Sequence, residues 1–509
     1  MMTALKQTLS SQLVELLSGF VDVPLAANTT VHGLCLDSRK VKAGDLFFAL
    51  KGLTHDASAF IDAAIDKGAV AVVWEAETGS QPMPLSWRQT HSGNKIPLIA
   101  VNNLSEQMGY IADRFYGSPS KDMYVIGVTG TNGKTSCSQY LAQALSDSTP
   151  CGVMGTLGAG IYGQLEDTAH TTPDALRCHG WLSEMRRAGV KTVTMEVSSH
   201  ALDQGRVNGI AFDCAVFTNL SRDHLDYHGD LDAYAQAKYR LFNMPGLQHA
   251  VINVDDAAGR QLASDLASKQ GTDINVISYG LDASAKPDVY GYELKLDLHG
   301  FQMNVDTPWG KGRIQSSLLG RFNASNVLAV LSVMLITGMP FEKALLKVQS
   351  LNPVAGRMEC AGGESQPLVV VDYAHTPDAL EQVLSTLREH CQGELYCIFG
   401  CGGDRDKGKR ALMGSIAEQF SDHIILTNDN PRTEDPHRIL ADIQQGIKNK
   451  HSFISEPDRA KAITQGIAQA TLNDIVLIAG KGHEDYQIIG TEKRFFSDIE
   501  QAKQCLVHV

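Results

Sequence analysis

The sequence has no uninterrupted run of about 18 apolar residues, the length that a membrane-spanning helix requires. Its opening stretch, MMTALKQTLSSQLVELLSGF, also lacks the continuous apolar segment and small-residue cleavage site of a secretory signal, because Gln12 and Glu15 interrupt it. This stretch is typical of an amphipathic helix. We therefore expect no membrane insertion.

Metal-binding and disulfide patterns are missing as well. The 10 cysteines include no CxxC pair, and no HExxH motif occurs, which argues against a zinc hydrolase and favours reduced thiols in a cytoplasmic protein. The chain has fewer basic than acidic residues, 44 Lys and Arg against 57 Asp and Glu, and its formal net charge is -13. That balance argues against nonspecific nucleic-acid binding but leaves small anions as possible ligands.

What the chain does contain is alternating strand-like and helix-like runs. At 509 residues it is too long for one core, and we predict an α/β protein of three domains spanning residues 1–121, 122–352 and 353–509. The alternation favours parallel sheets, with functional residues at the carboxyl ends of the strands. Predicted strands of the second and third domains are 124–128, 192–197, 215–218, 250–254, 368–371, 395–399, 423–427 and 475–479.

A glycine loop follows the first of these strands and leads into a helix that we predict to begin near Ser136. In this loop, residues 130–135 (GTNGKT), backbone N–H groups, Lys134 and a helix N-terminus can hold phosphate oxygens, and the Thr135 hydroxyl can bind Mg²⁺. The alternative is a glycine turn with a solvated lysine. The loop alone does not distinguish a kinase, a motor, a GTPase or a ligase.

Two further polar segments follow predicted strands. Glu196 comes at a strand end, where a carboxylate suits Mg²⁺, and residues 218–229 place two histidines and two aspartates close together in TNLSRDHLDYHG. From these residues alone, a solvated or helix-capping role is the alternative.

Four motifs in this order resemble the Mur ligases over nearly the whole chain: TGTNGKT at 129–135, EVSSH at 196–200, TNL through DHLD at 218–226, and DYAHTP at 372–377. Two more segments, GDRDKGKR at 403–410 and DNPR at 429–432, resemble the member of the family that adds diaminopimelate as the third peptide residue. The resemblance implies a central ATPase-like parallel sheet with a P-loop and a Rossmann-like C-terminal domain. It also implies that the first domain binds the UDP end of the precursor, the second binds ATP with Mg²⁺, and the third binds the amino acid.

The resemblance also implies roles for individual residues around ATP. The ATP set is Gly130, Thr131, Asn132, Gly133, Lys134, Thr135, Asn326, Arg357 and Asp372. The Mg²⁺ set is Thr135, Glu196 and His224, and the catalytic set is Lys134, Glu196, His224 and Lys238. Lys238 matches a lysine that carries a carbamate (N6-carboxylysine), which presents carboxylate-like oxygens where an ammonium would repel Mg²⁺. Without the resemblance, Lys238 would be interpreted as a solvated helix lysine.

Substrate residues follow by the same resemblance. The UDP group is Leu36, Ser38, Leu53, Thr54 and His55, and the sugar-peptide group is His170, Thr171, Thr172, Ser198, Gln204 and Arg206. The amino-acid group is Arg405, Asp429, Asn430, Pro431, Arg432, Gly480 and Glu484.

The implied activity is ATP-dependent ligation of meso-2,6-diaminopimelate to the D-glutamyl γ-carboxylate of UDP-N-acetylmuramoyl-L-alanyl-D-glutamate, through an acyl phosphate, in peptidoglycan synthesis. We expect a cytoplasmic monomer whose third domain closes over the central one to exclude water. The alternatives are another ligase of the superfamily, lysine-adding or folylpolyglutamate-forming, a P-loop kinase, or a nonenzymatic nucleotide-binding module.

Overall fold

The computed structural model describes residues 9–50, 57–76, 85–90, 93–147, 149–168, 170–269, 273–363, 365–449 and 453–507. The chain divides into two compact units, the first of residues 1–252 and 256–276 and the second of 253–255 and 277–509. The division into three domains, with boundaries near residues 121 and 352, stays a prediction.

The first unit begins with a small α/β sheet. Its elements are β1 (Ser11–Gln12), α1 (Leu13–Leu17), β2 (Thr30–Val31), β3 (Gly33–Cys35), β4 (Asp45–Ala49), α2 (Ile61–Asp66), β5 (Ala71–Glu75), β6 (Leu85–Gln89), β7 (Lys95–Val101) and α3 (Leu104–Phe115). Five strands lie in the order β3-β4-β5-β7-β6, parallel except for β6. Within residues 9–20, the amphipathic helix predicted at the N-terminus is confined to α1, which is 5 residues long, because Ser11 and Gln12 pair as a strand with β2.

A second sheet of the first unit carries the glycine loop. Its elements are β8 (Tyr124–Thr129), α4 (Lys134–Leu145), β9 (Cys151–Gly155), β10 (Gly158–Ile161), β11 (Gln164–Glu166), α5 (Ala175–Arg187), β12 (Thr192–Glu196), α6 (Ser199–Asp203), β13 (Cys214–Phe217), α7 (Leu225–His228), α8 (Leu231–Tyr239), β14 (His249–Asn253) and α9 (Ala257–Ser268). The strand order is β11-β10-β9-β12-β8-β13-β14, and β9, β12, β8, β13 and β14 are parallel. Parallel pairing aligns the carboxyl ends of β8, β12 and β13 at one sheet edge.

The next elements are β15 (Asn275–Gly280), most of which belongs to the second unit, β16 (Val289–Asp297), β17 (Gly300–Thr307), β18 (Gly310–Ser316), α10 (Arg321–Ile336) and α11 (Phe341–Gln349). The three long strands β16, β17 and β18 form an antiparallel meander, and α10 packs against β16 and β17. Helix α10 is buried along almost its whole length, since its interior sequence NVLAVLSVML is nearly all apolar.

The remainder of the second unit is a doubly covered parallel sheet. Its elements are β19 (Glu359–Gly362), β20 (Leu368–Asp372), α12 (Pro377–His390), β21 (Leu395–Phe399), α13 (Gly408–Phe420), β22 (His423–Leu426), α14 (Pro436–Gln444), β23 (Phe453–Ser455), α15 (Arg459–Gln469), β24 (Ile475–Ala479), β25 (Tyr486–Ile489), β26 (Glu492–Phe495) and α16 (Asp498–Leu506). The order is β19-β20-β24-β21-β22-β23, with only β19 antiparallel among these strands. Apolar clusters cover both faces, which explains the continuous apolar strand sequences.

The structure confirms the α/β class with several parallel-sheet domains. Each of the eight predicted strands occurs, with ends shifted by one residue at most. The 10 cysteines are all free thiols, and most of them are buried. Among the described residues, no helix combines the length and apolarity needed to cross a membrane.

Candidate active site

The glycine loop lies between β8 and α4, as predicted, although the helix begins at Lys134 rather than near Ser136. Gly130 has φ +149°, and a Cβ atom there would lie 1.9 Å from Thr218 Oγ1, so the loop tolerates no side chain at this position. The Lys134 ammonium donates hydrogen bonds of 2.8 Å to the carbonyls of Gly130 and Thr131. Backbone amides, a lysine and a helix N-terminus therefore converge on one loop, which is the arrangement of a phosphate site.

Thr135 and Glu196 meet beside this loop. The Thr135 hydroxyl donates to Glu196 Oε2 at 2.8 Å, while Thr156 donates its backbone N–H to Glu196 Oε1 at 2.7 Å. Glu196 is buried and ends β12, one strand from β8 in the sheet. A hydroxyl and a carboxylate are hard oxygen donors, so the donor set fits Mg²⁺.

His224 belongs to a ring cluster formed by His200, His224, Tyr227, His228 and Tyr234. Burial, with His224 and His228 nearby, lowers the pKa of His200 to about 4, so its imidazole is neutral near pH 7. His224 itself is half exposed. In the described part of the chain no group of three or more His, Cys, Asp or Glu side chains could hold a metal ion, so metal binding by His224 stays a prediction.

Lys238 is buried rather than solvated. It is 1% exposed on α8, its Nζ donates to the Gly130 carbonyl at 2.8 Å, and the Tyr234 ring lies 4.2 Å away. Burial, together with the charge of Lys134, holds the pKa of Lys238 well below that of an ordinary lysine, against an opposing effect of Asp223. The side chain predicted to be modified therefore lies against the phosphate loop.

The residues predicted to hold the sugar-peptide portion form one hydrogen-bonded group. Thr172 Oγ1 donates to the Glu196 carbonyl at 2.8 Å and accepts from the Ser198 N–H at 3.1 Å. Arg206 donates to the Thr172 carbonyl at 3.0 Å and to Gln204 Oε1 at 2.6 and 2.9 Å. This group reaches Glu196, so it lies beside the phosphate loop.

The other members predicted for this region differ in how closely they join the group. The Thr171 hydroxyl oxygen lies 3.1 Å from that of Thr156, whereas the His170 side chain is exposed. Leu36 and Ser38 follow β3 in the first sheet, and Leu36 packs on that sheet's core. Leu53, Thr54 and His55 lie outside the described residues.

In the second unit, the residues predicted to contact ATP lie on different elements. Asn326 is buried on α10 and donates to Asn323 Oδ1 at 3.3 Å. Asp372 ends β20 and accepts backbone N–H groups of Met358 and Ala374 at 2.9 and 2.8 Å. The Arg357 guanidinium lies 4.9 Å from the Tyr373 ring centre. Burial raises the pKa of Asp372, although Arg357 opposes that shift. Their contacts with ATP stay predictions.

The DNPR segment follows β22 and is fixed by the hairpin β25–β26. Arg432 has φ +51°, its N–H donates to the Ile488 carbonyl at 3.0 Å, and its own carbonyl accepts from Gly490 at 2.7 Å. The Arg432 guanidinium donates to the Gly403 carbonyl at 2.8 Å. The left-handed backbone conformation of Arg432 costs energy for a non-glycine residue, and the hydrogen bonds to Ile488 and Gly490 stabilise it. This conformation directs the guanidinium toward the 403–405 loop.

Four other residues predicted to bind the amino acid lie close to one another: Asp429, Asn430, Gly480 and Glu484. Asn430 Nδ2 donates to Glu484 Oε2 at 2.9 Å, and a Cβ atom on Gly480 would lie 3.0 Å from Asp429 Oδ2. Asp429 is buried, which raises the pKa of its carboxyl against the effect of Arg459 and Lys481. Of the other predicted members, Pro431 is buried and Arg405 is exposed.

Sequence reasoning missed Thr156 and Lys481. Thr156 holds Glu196 through its N–H at 2.7 Å and its hydroxyl at 3.2 Å, and Lys481 lies 3.1 Å from Glu484 Oε2. Lys481 stands between two glycines directly after the apolar strand β24, which is the kind of strand-end signal used for Glu196. Thr156 likewise directly follows a buried strand, β9, which was not among the predicted strands.

Comparison with known proteins gives the family. Three family profiles match: "Mur ligase family, catalytic domain" over residues 30–116, "Mur ligase middle domain" over 128–334, and "Mur ligase, glutamate ligase domain" over 356–482. A protein of Coxiella burnetii is 50% identical over 483 residues, covering 95% of this chain and 97% of its own length. The chain belongs to the Mur ligase family.

Other relatives agree with this assignment. The Coxiella protein is named UDP-N-acetylmuramoyl-L-alanyl-D-glutamate--2,6-diaminopimelate ligase, and so is a Pseudomonas aeruginosa protein that is 50% identical over 94% of this chain and 95% of its own. A solved structure described by the same name is 38% identical, with a TM-score of 0.71 over 98% of this Mur ligase chain and 99% of its own. A MurF ligase of Thermotoga maritima in complex with ADP, 18% identical with a TM-score of 0.59 over 94% of this chain and 98% of its own, shares the fold.

Proposed function

We propose that this chain is an ATP-dependent ligase that joins meso-2,6-diaminopimelate to the D-glutamyl γ-carboxylate of UDP-N-acetylmuramoyl-L-alanyl-D-glutamate, in peptidoglycan synthesis. The observation that carries the proposal is the geometry of the DNPR segment, in which Asn430 donates to Glu484 Oε2 at 2.9 Å and Arg432, two residues later, donates its guanidinium to the Gly403 carbonyl at 2.8 Å. A guanidinium can bind the distal carboxylate of diaminopimelate through two parallel hydrogen bonds, while a carboxylate can accept from its distal ammonium. The names of relatives about 50% identical over most of the chain support the same substrate.

In the first step, the γ-carboxylate of the dipeptide attacks the γ-phosphate of ATP and gives an acyl phosphate and ADP. Lys134 and the backbone amides of residues 130–135 stabilise the charge that spreads over the phosphoryl oxygens. Thr135, Glu196 and His224 are the residues that would hold Mg²⁺, which neutralises phosphate charge when bound. The group formed by Thr172, Ser198, Gln204 and Arg206 orients the sugar-peptide portion next to Glu196.

In the second step, the amine of diaminopimelate attacks the acyl carbon, and the tetrahedral intermediate releases phosphate as the amide forms. The amine must be unprotonated and correctly placed when it attacks. The far end of the amino acid is bound by Arg432, Asn430 and Glu484, which places the near amine beside the acyl carbon. This positioning lowers the barrier of the chemical step because the translational freedom of the amine has already been lost on binding. We place the reaction in the cytoplasm, because it consumes ATP and the 10 cysteines are free thiols.

An amino-acid panel tests the function. Purified protein with UDP-N-acetylmuramoyl-L-alanyl-D-glutamate and ATP should release phosphate and form tripeptide with meso-diaminopimelate, and much less with L-lysine, L-glutamate or no amino acid. A stable phosphorylated product without added amine would indicate a kinase instead. Preference for L-lysine, or glutamate addition to a folate, would indicate another ligase of the superfamily.

Replacing Arg432 with alanine should lower kcat/KM for diaminopimelate by well over tenfold, because loss of a charged partner of this kind costs about 2–5 kcal/mol. The change for L-lysine should be small, since lysine has no distal carboxylate. Arg494→Ala is the matched control, because Arg494 lies on β26 of the hairpin that holds the Arg432 backbone, and its side chain is 58% exposed. Side-by-side kinetics with both amino acids decide the matter, and unchanged diaminopimelate kinetics in Arg432→Ala would contradict the assignment.

A further inference from the structure

A fully buried lysine lies against three residues predicted to bind the amino acid, Asp429, Asn430 and Glu484. Lys481 has a side chain that is 0% exposed, and its ammonium lies 3.1 Å from Glu484 Oε2, 3.4 Å from Asn430 Oδ1 and 3.8 Å from Asp429 Oδ1. The Tyr486 ring centre lies 5.2 Å from the same Nζ. Lysine is rarely buried this completely unless it is paired, so this ammonium belongs to the acidic group around it.

Lys481 and Asn430 together fix one oxygen of Glu484. Both donate to Oε2, Lys481 at 3.1 Å and Asn430 Nδ2 at 2.9 Å. The amide of Asn430 is oriented in turn, because its Oδ1 accepts the Ile488 N–H at 2.9 Å and faces Lys481 Nζ at 3.4 Å. Within the described ranges no donor bonds Oε1 of Glu484, which leaves that oxygen for a ligand.

The charged groups around Lys481 also favour binding of an ammonium group near Glu484. Arg459 is committed to Asp498 through bonds of 2.7 Å from both Nε and Nη2. Asp429 Oδ1 is buried and has no hydrogen-bond partner in the part of the chain that is described. Lys481 therefore faces two carboxylates, those of Asp429 and Glu484, and with both of them ionised the three groups have a formal net charge of -1. That negative charge suits one ammonium of a substrate.

We infer that Lys481 is a positioning residue for the amino-acid substrate: it holds Glu484 and Asn430 in the orientation that receives the distal ammonium of diaminopimelate. Lys481 itself touches neither the reacting amine nor the acyl carbon. The inference rests on the proposed function. A direct bond from Lys481 to the substrate carboxylate is the competing role, but three acceptors already surround its ammonium, and Arg432 is available to that carboxylate.

The experiment compares meso-diaminopimelate with L-2-aminopimelate, which keeps both carboxylates but lacks the distal amine. The variants are Lys481→Met, Glu484→Gln and the double variant, with Lys461→Met as the matched control because the Lys461 side chain is 73% exposed. Lys481→Met should lower kcat/KM for diaminopimelate at least tenfold, mainly through KM, and change that for L-2-aminopimelate less than threefold. The KM for ATP should not change.

The double variant tests whether Lys481 acts through Glu484. If it does, Lys481→Met should cause less than a threefold further loss when Glu484→Gln is already present. Equal losses with both amino acids would mean a structural role and would overturn the inference, as would losses that multiply in the double variant.

Loss of folding has a separate readout. Should Lys481→Met fail to fold, as judged by thermal unfolding, the double variant is the deciding protein, because it removes the cation together with one carboxylate. If it folds and matches Glu484→Gln, the inference holds; if neither protein folds, Lys481 is structural and the inference is wrong. Wild-type protein that makes no use of diaminopimelate would defeat the proposed function itself, which the other outcomes leave intact.

Discussion

Replacement of Lys134 with alanine should lower kcat at saturating ATP by about 100-fold or more, the usual cost of losing one preorganised group that stabilises transition-state charge. The Lys134 ammonium donates to the carbonyls of Gly130 and Thr131 at 2.8 Å, so it is held at the phosphate loop and does not extend into solvent. In the proposed mechanism, charge on the transferring phosphoryl group develops at that loop. Losing the ammonium therefore raises the barrier of the first step.

The fold should survive this change, because Lys134 is only half-buried at the first position of α4 and contributes little to the core. Phosphate release in the complete reaction measures kcat, and thermal unfolding with binding of the UDP precursor reports on structure. Lys191→Ala serves as control, since Lys191 is exposed just before β12. Near-normal turnover of Lys134→Ala at saturating ATP would show that the loop does not carry the phosphate chemistry.

The sequence is sufficient to predict the parallel sheets and the glycine loop between β8 and α4. Strand β8 is a short apolar run that leads directly into Gly130, and its burial on both sides makes the pattern unambiguous. Glu196 is identifiable for a similar reason, because a carboxylate directly after an apolar strand lies at the edge where parallel strands end. Both signals lie in a few consecutive residues, and the structure has the corresponding strands.

The surroundings of these residues depend on tertiary contacts that no local pattern encodes. The residues next to Lys238 in the sequence are those expected around a solvated helix lysine. In the structure, however, α8 places Lys238 against Gly130, which is 108 positions away in the sequence. The contact between Thr172 and Ser198 likewise joins two loops. Within residues 9–20 the N-terminal helix is shortened for the opposite reason: its periodicity is helical, but pairing of Ser11 and Gln12 with β2 takes part of the segment into a strand.

Lys238→Ala should be nearly inactive, with kcat lower by about 100-fold or more, and a small added carboxylate such as acetate should restore part of the activity. An amine reacts with CO₂ to form a carbamate and a proton only when it is neutral. Burial, with Lys134 nearby, holds the pKa of Lys238 well below the ordinary value and so favours the neutral amine. The carbamate would then supply anionic oxygens beside the Lys134 ammonium, and acetate in the vacated space would replace them.

The control for this rescue is Lys238→Met, whose side chain fills the space that acetate needs while carrying no charge, so it should be inactive and should not recover. Acetamide, which has the shape of acetate without its charge, should fail to rescue the alanine variant. Wild-type turnover should fall when CO₂ is removed under argon and return on addition of bicarbonate. An alanine variant that turns over normally in CO₂-free buffer would contradict the carbamate, because the reaction would then need no anionic oxygen at this position. Equal rescue by acetate and acetamide would instead show that filling the cavity is what restores activity.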